Sequence, residues 1–257
     1  MSELDNDAVS AHCPPRGRAR IGVLVPYTNV NLEPDLQWLC PSGCSLHFER
    51  LGDYDIDAIP GSEQMARLGS ADLSESLRLI CGVRPHAVLY GCTSATLTHG
   101  VDFDIDLSRR ISERADAVSI TAAGALVAAL KKLGISRVGF SSPYLGEIND
   151  QAVAFLATHN IQVVRRADIG RELGNYGQGE LSPAEVVELA QRADAEDVDA
   201  IVLSCTDMRS VEAIEQIEAT LAKPVVTSNQ ALVFELCRVL QLPAPAQAPG
   251  QLFSRLD

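Results

Sequence analysis

The sequence lacks long hydrophobic runs, basic clusters and closely spaced cysteine pairs, and each absence excludes a class of protein. No apolar stretch approaches the roughly 20 residues of a membrane-spanning helix. No run of Lys and Arg is present and the net charge is −13. Binding to a phosphate backbone depends on clustered basic side chains. We therefore expect neither a membrane nor a nucleic acid as a partner.

The seven cysteines are scattered and form no CxxC motif. Such a set, in a chain of 257 residues with no export signal, does not predict a disulfide framework. None of the five histidines stands at ligand spacing from a cysteine pair, so no metal site is expected. The first residues are polar and contain no apolar core of a signal peptide. We expect residues 1–17 to be a flexible leader and the protein to be cytoplasmic.

Short β-rich runs alternate with amphipathic stretches from residue 20 onward. Hydrophobic residues make up 46% of the chain and charged residues 21%, a balance typical of a globular protein. This alternation predicts parallel sheets, and strands without polar alternation indicate sheets covered on both faces. The expected strands are 21–26, 45–51, 87–91, 117–121, 137–142, 161–166, 200–204 and 224–228. The expected helices are 62–82, 123–133, 147–158, 183–194, 210–221 and 229–241.

Two halves of the chain follow the same plan. The segment 119–130 aligns without gaps to 225–236, with Thr121 opposite Thr227. Such similarity indicates duplication of a four-stranded α/β unit, with chance similarity between helices as the alternative. We expect two pseudo-symmetric lobes, each a four-stranded parallel sheet flanked by helices, and an active site in the cleft between them. The expected lobes are 18–122, together with about 229–257, and 123–228.

Cys92 and Cys205 stand at matching places in the two halves, each directly after an apolar run. AVLYG precedes Cys92 and AIVLS precedes Cys205, and small hydroxyl residues and a helix-like stretch follow each. This order predicts a strand, a sharp turn and a helix, made twice, with a thiol at each turn. A helix N-terminus lowers the pKa of a nearby thiol, and its N–H groups can bind a carboxylate. The pattern predicts two reactive sulfurs beside anion sites; the alternative is a pair of buried, inert cysteines.

Nothing in the sequence indicates a function for the remaining cysteines. Two fall inside amphipathic helix patterns and are assigned to the core, Cys81 and Cys237. Three are assigned to the leader or to loops, Cys13, Cys40 and Cys44. Near the paired thiols, His99 could serve as a base, although a solvated or capping role suits it better. Asp207 could keep Cys205 protonated, or simply stabilise a helix N-terminus.

The cysteine motifs GCTSATLTHG and LSCTDMRS resemble those of the aspartate/glutamate racemase superfamily. The opening IGVLVPYTNVNLEPDL (21–36) is similar to that of its maleate cis–trans isomerase group, which includes ectoine-utilisation proteins. The resemblance covers roughly residues 20–240. It implies a pseudo-symmetric pair of α/β lobes and cofactor-free chemistry on small dicarboxylates or amino acids.

The resemblance also implies three substrate-binding residues, namely Asn29, Tyr144 and Asn175. Thr93, Ser94 and Thr206, the hydroxyl residues that follow the two cysteines, are expected to bind substrate as well. From the residue types alone, Asn29 can donate to a carboxylate or act as a helix N-cap. Tyr144 can bind a carboxylate or hold a loop, and Asn175 can reach the cleft or form a turn. The isomerase opening often has Ser-Ser where this chain has Tyr27-Thr28, which leaves the exact substrate open.

The leading hypothesis is a cofactor-independent isomerase of maleate type. By resemblance, the Cys92 thiolate adds to an alkene carbon, Cys205 protonates the carbanion, and reverse elimination releases the trans product. The same two thiols would also serve a racemase for an acidic or acylated amino acid. A decarboxylase of the superfamily lacks one of the two cysteines and fits less well. A non-catalytic two-lobed binding protein is the alternative from another class. We expect a small anionic carboxylate as ligand and no cofactor, and a homo-oligomer is compatible with the sequence.

Overall fold

The computed structural model describes residues 17–52, 61–174 and 176–256. The strands in these ranges form two four-stranded parallel sheets. The first sheet consists of β1 (Ala19–Pro26), β2 (Cys44–Leu51), β3 (Ala87–Tyr90) and β4 (Val118–Thr121), in the spatial order β2-β1-β3-β4. The second consists of β5 (Arg137–Ser141), β6 (Gln162–Ala167), β7 (Ala200–Leu203) and β8 (Val225–Thr227), in the spatial order β6-β5-β7-β8.

Helices connect the parallel strands. Within the first half they are α1 (Leu32–Trp38), α2 (Ser62–Ser70), α3 (Ser74–Ile80), α4 (Thr93–Leu97) and α5 (Val101–Ala115). Later in the chain come α6 (Ala122–Leu133), α7 (Gly146–Thr158), α8 (Gly177–Glu180), α9 (Pro183–Ala193), α10 (Ile214–Leu221) and α11 (Ser228–Leu240). Short 3₁₀ turns lie at Cys81–Val83, Val211–Ala213 and Leu252–Arg255. In the described ranges, no helix has the length and apolar character needed to cross a membrane.

The two sheets confirm the predicted α/β fold of paired four-stranded units. Every residue of the inner strands β3 and β7 is buried. Because successive side chains of a strand point to opposite faces, both faces of these strands are covered, as their unbroken apolar runs indicated. The helix expected over 62–82 is divided, since the Asp72 carboxylate accepts the N–H of Ser74 (2.9 Å) and a new helix begins there.

The matched segments of the two halves become matched helices. Thr121 Oγ1 accepts the N–H of Gly124 at the start of α6, and Thr227 Oγ1 accepts the N–H of Gln230 at the start of α11. These helices pack on each other, and both contact β4 and β8, so they form a layer shared by the two sheets. The lobe boundaries proposed from the sequence stay predictions. The expected leader lies outside the described residues except for Gly17.

Candidate active site

Cys92 and Cys205 line the same pocket, at the carboxyl ends of strands β3 and β7. Both side chains are buried, with exposed fractions of 4% and 2%, and both thiols are free. Five other residues expected at the site line the same pocket, Asn29, Thr93, Ser94, Tyr144 and Thr206. Asn175 lies outside the described residues. The structure therefore brings together two thiols that are 113 positions apart in sequence (205 − 92).

A path of polar contacts joins the two sulfurs. The Ser94 hydroxyl lies 3.8 Å from Cys92 Sγ and 3.1 Å from the Tyr144 hydroxyl. The Cys205 thiol in turn points at the Tyr144 hydroxyl, with 4.0 Å between sulfur and oxygen. Sulfur makes weak, long hydrogen bonds, so these spacings are compatible with proton exchange along the path. One hydroxyl from each half of the chain thus stands between the thiols.

The backbone around the two thiols differs, which corrects one expectation. Cys92 is the N-cap residue of α4, as predicted. After Cys205 no helix begins at once; the chain runs irregularly to the 3₁₀ turn Val211–Ala213 and only then enters α10. The N–H of Asp207 is instead turned toward Cys205 Sγ, 3.3 Å away. A single N–H, rather than a helix terminus, therefore faces the second sulfur.

The predicted bias of the two thiols toward the thiolate form is wrong. Burial raises the pKa of Cys92, and the N–H groups of Ala95 and Ser94 offset this only in part. Burial and then the negative charge of Asp207 raise the pKa of Cys205 to about 12. Helix N–H groups do act on Cys92, but loss of water contact outweighs them. Both thiols are therefore protonated at rest, and Asp207 acts on Cys205 in the direction considered from the sequence.

Asn29 joins the two halves of the site. Its Oδ1 accepts the N–H groups of Asn31 (3.1 Å) and Leu32 (2.9 Å), which holds the first turn of α1. Its amide nitrogen donates to Thr206 Oγ1 (3.0 Å), next to Cys205. Asn31, and not Asn29, is the N-cap residue of α1. The Asn29 side chain supports the helix start from two positions earlier, and it also lines the pocket.

A second set of hydrogen bonds, formed by Asn31 and Asp207, joins the segment after β1 to the segment after Cys205; the sequence did not predict it. Asp207 Oδ1 accepts the N–H groups of Val30 (2.8 Å) and Asn31 (3.1 Å). The Asn31 amide donates to the carbonyls of Asp207 (2.7 Å) and Gly179 (3.0 Å). Burial raises the pKa of Asp207 to about 6, and the two N–H groups oppose this shift. The two asparagines that follow strand β1, Asn29 and Asn31, are the only sequence feature on which these hydrogen bonds could have been predicted.

Met65 and Gln178 complete the pocket and were also missed. Met65 Sδ lies 2.9 Å from the Ser94 hydroxyl, and both residues are at least 96% buried. The space left admits about one water molecule. A ligand with several carbon atoms enters only if one of these side chains moves aside. In the sequence, Met65 is indistinguishable from a core residue of an amphipathic helix.

Several residues considered from the sequence lie elsewhere. His99 stacks on Phe103 with 4.1 Å between ring centroids, and its Nε2 lies 2.6 Å from the Ala66 carbonyl oxygen, outside the pocket. Cys237 is buried as expected, but Cys81 is only half-buried in a 3₁₀ turn, and Cys44 begins β2 rather than lying in a loop. Cys40 precedes that strand, and Cys13 is outside the described residues. No group of three or more His, Cys, Asp or Glu in the described ranges is arranged to hold a metal ion.

Gly91 tests how tightly the Cys92 loop is packed. A methyl group at this position would lie 2.3 Å from Leu32 Cδ2 and 2.9 Å from the Leu24 carbonyl oxygen. We expect Gly91→Ala to lower the free energy of unfolding by about 1–3 kcal/mol, because the backbone must shift to relieve the overlap. Urea titration measures the effect. Gly82→Ala is the matched control, since nothing lies within 4 Å of the added methyl; equal midpoints for both variants would contradict the close packing.

Comparisons with known proteins show similarity to two kinds of enzyme. The arylmalonate decarboxylase family matches residues 21–253. The maleate isomerase of Nocardia farcinica is 26% identical over 248 residues, covering 92% of this chain and 96% of the relative. The arylmalonate decarboxylase of Bordetella bronchiseptica is 28% identical over 236 residues, covering 90% and 91%.

The fold is shared with a solved structure of one of these enzymes. This is a cysteine-to-serine variant of the Nocardia farcinica maleate cis–trans isomerase that holds a covalently bound succinylcysteine intermediate. Its TM-score is 0.83 at 24% identity, covering 93% of this chain and 99% of that chain. These relatives confirm two expectations: the chain is related to maleate isomerases, and it is an enzyme of a group that includes isomerases. The match spans nearly the whole of the described fold, and the chain belongs to the arylmalonate decarboxylase family.

Proposed function

We propose that this protein is a cofactor-independent cis–trans isomerase of a small unsaturated dicarboxylate, with maleate as the first candidate substrate. The observation that carries the proposal is the pair of free thiols, Cys92 and Cys205, that face one narrow pocket. Two sulfurs in one cavity suit a reaction that adds a nucleophile to one carbon and a proton to the next. The N–H groups of Ser94 and Ala95 act on the Cys92 sulfur and favour its thiolate form, which is the form that adds to an alkene and leaves it.

The first step is addition across the double bond. The Cys92 sulfur forms a C–S bond with one alkene carbon, and the π electron pair moves to the adjacent carbon, where the carboxylate stabilises it as an enolate. The Cys205 S–H gives its proton to that carbon. The proton that leaves Cys92 passes by way of Ser94 and Tyr144 to Cys205, so the second thiol ends the step protonated. The net change is addition of one S–H across the alkene.

The second step reverses the first after rotation. Addition converts the double bond to a single bond, which turns freely. Cys205 removes the proton from the substrate carbon as its own proton moves to Tyr144 and a proton moves from Tyr144 to Ser94. The released electron pair re-forms the double bond, the C–S bond breaks, and the Cys92 sulfur takes up a proton from Ser94. The product is the trans isomer, and both thiols are restored without a cofactor.

The intermediate of this scheme is a saturated four-carbon unit joined to a cysteine. The Nocardia farcinica maleate isomerase structure holds a succinylcysteine, which is the product expected of thiol addition followed by protonation. That relative therefore supports a saturated covalent thiol adduct as the intermediate proposed here. The thiols of the present chain are protonated at rest, so addition requires a route for the Cys92 proton. The Ser94–Tyr144 path provides one.

A racemase acting on an acidic amino acid is the second candidate, and one observation favours it. The Asp207 carboxylate lines the pocket beside Cys205, and its pKa of about 6 leaves it ionised at neutral pH. A substrate ammonium group would pair with this charge, whereas a second carboxylate would be repelled by it. Under this reading one thiolate removes the α-proton and the opposite thiol supplies one from the other face. Arylmalonate decarboxylation is a further activity found among the relatives.

Proton NMR in deuterated buffer separates these reactions in one assay. We expect the cis-alkene signal of maleate to be replaced by the trans-alkene signal of fumarate in the presence of the protein. Loss of the α-proton signal from aspartate or glutamate, with maleate unchanged, would identify a racemase. Loss of the α-carboxyl group from phenylmalonate would identify a decarboxylase. Cys92→Ala is the control in every arm, and an isomerisation rate equal to that of the control would refute the proposal.

A further inference from the structure

A buried carboxylate lies directly behind the Cys205 loop. Asp35 stands on α1, and only 6% of its surface is exposed. Asn229, in the first turn of α11, is fully buried. Its amide nitrogen donates to Asp35 Oδ2 (2.7 Å) and to the carbonyl oxygen of Thr206 (2.9 Å). One amide thus joins an ionisable side chain to the residue that follows Cys205.

The same hydrogen bonds continue to the other thiol loop. The Thr206 hydroxyl donates to the carbonyl of Gly91 (2.8 Å) and accepts from the Asn29 amide (3.0 Å). Gly91 immediately precedes Cys92. A buried network therefore runs from Asp35 to the backbone of both cysteine loops. Its members come from both halves of the chain, so it fixes how the two thiols face each other.

We propose that Asp35 is a positioning residue of the two-thiol site, which holds the Cys205 loop in place through Asn229. Both hydrogens of the Asn229 amide are engaged, one by each acceptor. An apolar side chain in place of Asp35 would leave one buried N–H unpaired, at a cost in free energy, and would let the amide turn. The inference rests on the proposed function only for its turnover measurement.

Several charged groups surround Asp35. Burial raises its pKa to about 7, the Asn229 hydrogen bond lowers it, Glu212 and Asp207 raise it further, and Arg209 lowers it. Charged groups on α1, β2 and α11 form ion pairs with one another, namely Glu33–Arg50 and Glu235–Arg238. Asp35 therefore changes charge near neutral pH, where its effect on the network can be followed.

The direction in which stability changes with pH follows from the pKa of Asp35 in the unfolded and in the folded chain. Asp35 ionises at its ordinary pKa of 3.8 when unfolded and at about 7 when folded. Its contribution to stability is full below the unfolded value and is lost as the pH rises through the folded one. The ionised carboxylate is, however, the stronger acceptor for the Asn229 amide. Raising the pH through 7 therefore costs stability and tightens the network.

The test uses the full chain with two substitutions and one control. Asp35→Asn keeps an acceptor without a charge, and Asp35→Leu removes the acceptor. Asp104→Asn is the matched control, because Asp104 is similarly buried and its pKa is also raised by burial, but it lines a separate groove. The readouts are kcat and KM with maleate, urea unfolding, and the alkylation rate of Cys205 by iodoacetamide, followed by peptide mass spectrometry between about pH 5.5 and 8.5.

We expect Asp35→Leu to lower kcat about tenfold with little change in KM, since one buried donor loses its partner. It should also change the alkylation rate of Cys205 several-fold. Asp35→Asn should keep most of the activity. Its pH profile for the alkylation of Cys205 should lack the change that ionisation of Asp35 produces near pH 7 in the wild type. Its free energy of unfolding should rise relative to that of the wild type as the pH rises. Asp104→Asn should leave the pH profile and the Cys205 alkylation rate unchanged.

Two outcomes would overturn the proposal. One is an Asp35→Leu protein with wild-type kcat and wild-type alkylation of Cys205. The other is an Asp35→Asn profile that overlays the wild-type profile between pH 6 and 8. If the wild type does not convert maleate, the proposed function fails, and alkylation of Cys205 still decides the role of Asp35. If Asp35→Leu does not fold, the pH profile of Asp35→Asn alkylation decides it.

Discussion

Replacement of either thiol of the pocket is expected to abolish turnover. Cys92→Ala removes the nucleophile and Cys205→Ala removes the acid, so each should lower kcat on the order of 10³-fold or more. Since the two sulfurs act as a unit, the double variant should be little worse than either single one. Initial rates by proton NMR measure the loss, and circular dichroism checks that each variant folds.

Replacement of Cys205 by serine should separate the addition step from the elimination step. We expect Cys205→Ser to accumulate a covalent adduct on Cys92 with the mass of one substrate molecule, detectable by mass spectrometry of the intact protein. Cys92→Ser should form none. Cys81→Ala is the matched control, because Cys81 is a free thiol outside the pocket. Wild-type rates in Cys92→Ala and Cys205→Ala would instead support a binding protein whose cysteines are inert.

Tyr144→Phe is expected to have the next largest effect. The substitution keeps the ring and removes the hydroxyl that lies 3.1 Å from Ser94 Oγ and 4.0 Å from Cys205 Sγ. Loss of a positioned polar hydrogen typically lowers kcat about 10²-fold. If the hydroxyl carries protons between the thiols, kcat falls while KM stays nearly constant, and the solvent isotope effect on kcat changes.

The companion variants separate proton transfer from substrate binding. Ser94→Ala interrupts the same path and should resemble Tyr144→Phe, with no further loss when the two are combined. Tyr176→Phe is the matched control, because Tyr176 is exposed at the start of α8. A large rise in KM with unchanged kcat in Tyr144→Phe would show that the hydroxyl binds the substrate carboxylate and carries no proton.

The fold and the pairing of the thiols could be predicted from local patterns. Apolar runs bounded by turns locate the eight strands of the described residues, and each predicted strand end lies within two residues of the observed one. The equivalent positions of Cys92 and Cys205 in two similar halves place both at carboxyl ends of inner strands. Parallel strands of a duplicated unit then bring the two loops together. None of these steps requires knowledge of distant contacts.

The electrostatics of the site could not be predicted in the same way. The pKa of Cys92 is raised by burial, and its pocket is lined by residues from other parts of the chain, Met65 and Tyr144 among them. The irregular segment after Cys205 is held by side chains that bind its backbone, since the amides of Asn31 and Asn229 donate to the carbonyls of Asp207 and Thr206. The role of Asp35 depends on Asn229, 194 positions away. Burial and long-range pairing of this kind leave no periodic signal in a sequence.

The unlike surroundings of the two sulfurs make the reaction centre chiral. Ser94, which also contacts Met65, adjoins Cys92, whereas the N–H of Asp207 faces Cys205. In the proposed addition, Cys205 alone gives a proton to the substrate carbon, so that carbon receives it on one face only. Deuterium taken up from solvent would therefore enter one of the two diastereotopic positions of the CH₂ group of the adduct. Two similar halves of the chain would in this way impose stereochemistry on a planar substrate that has no stereocentre.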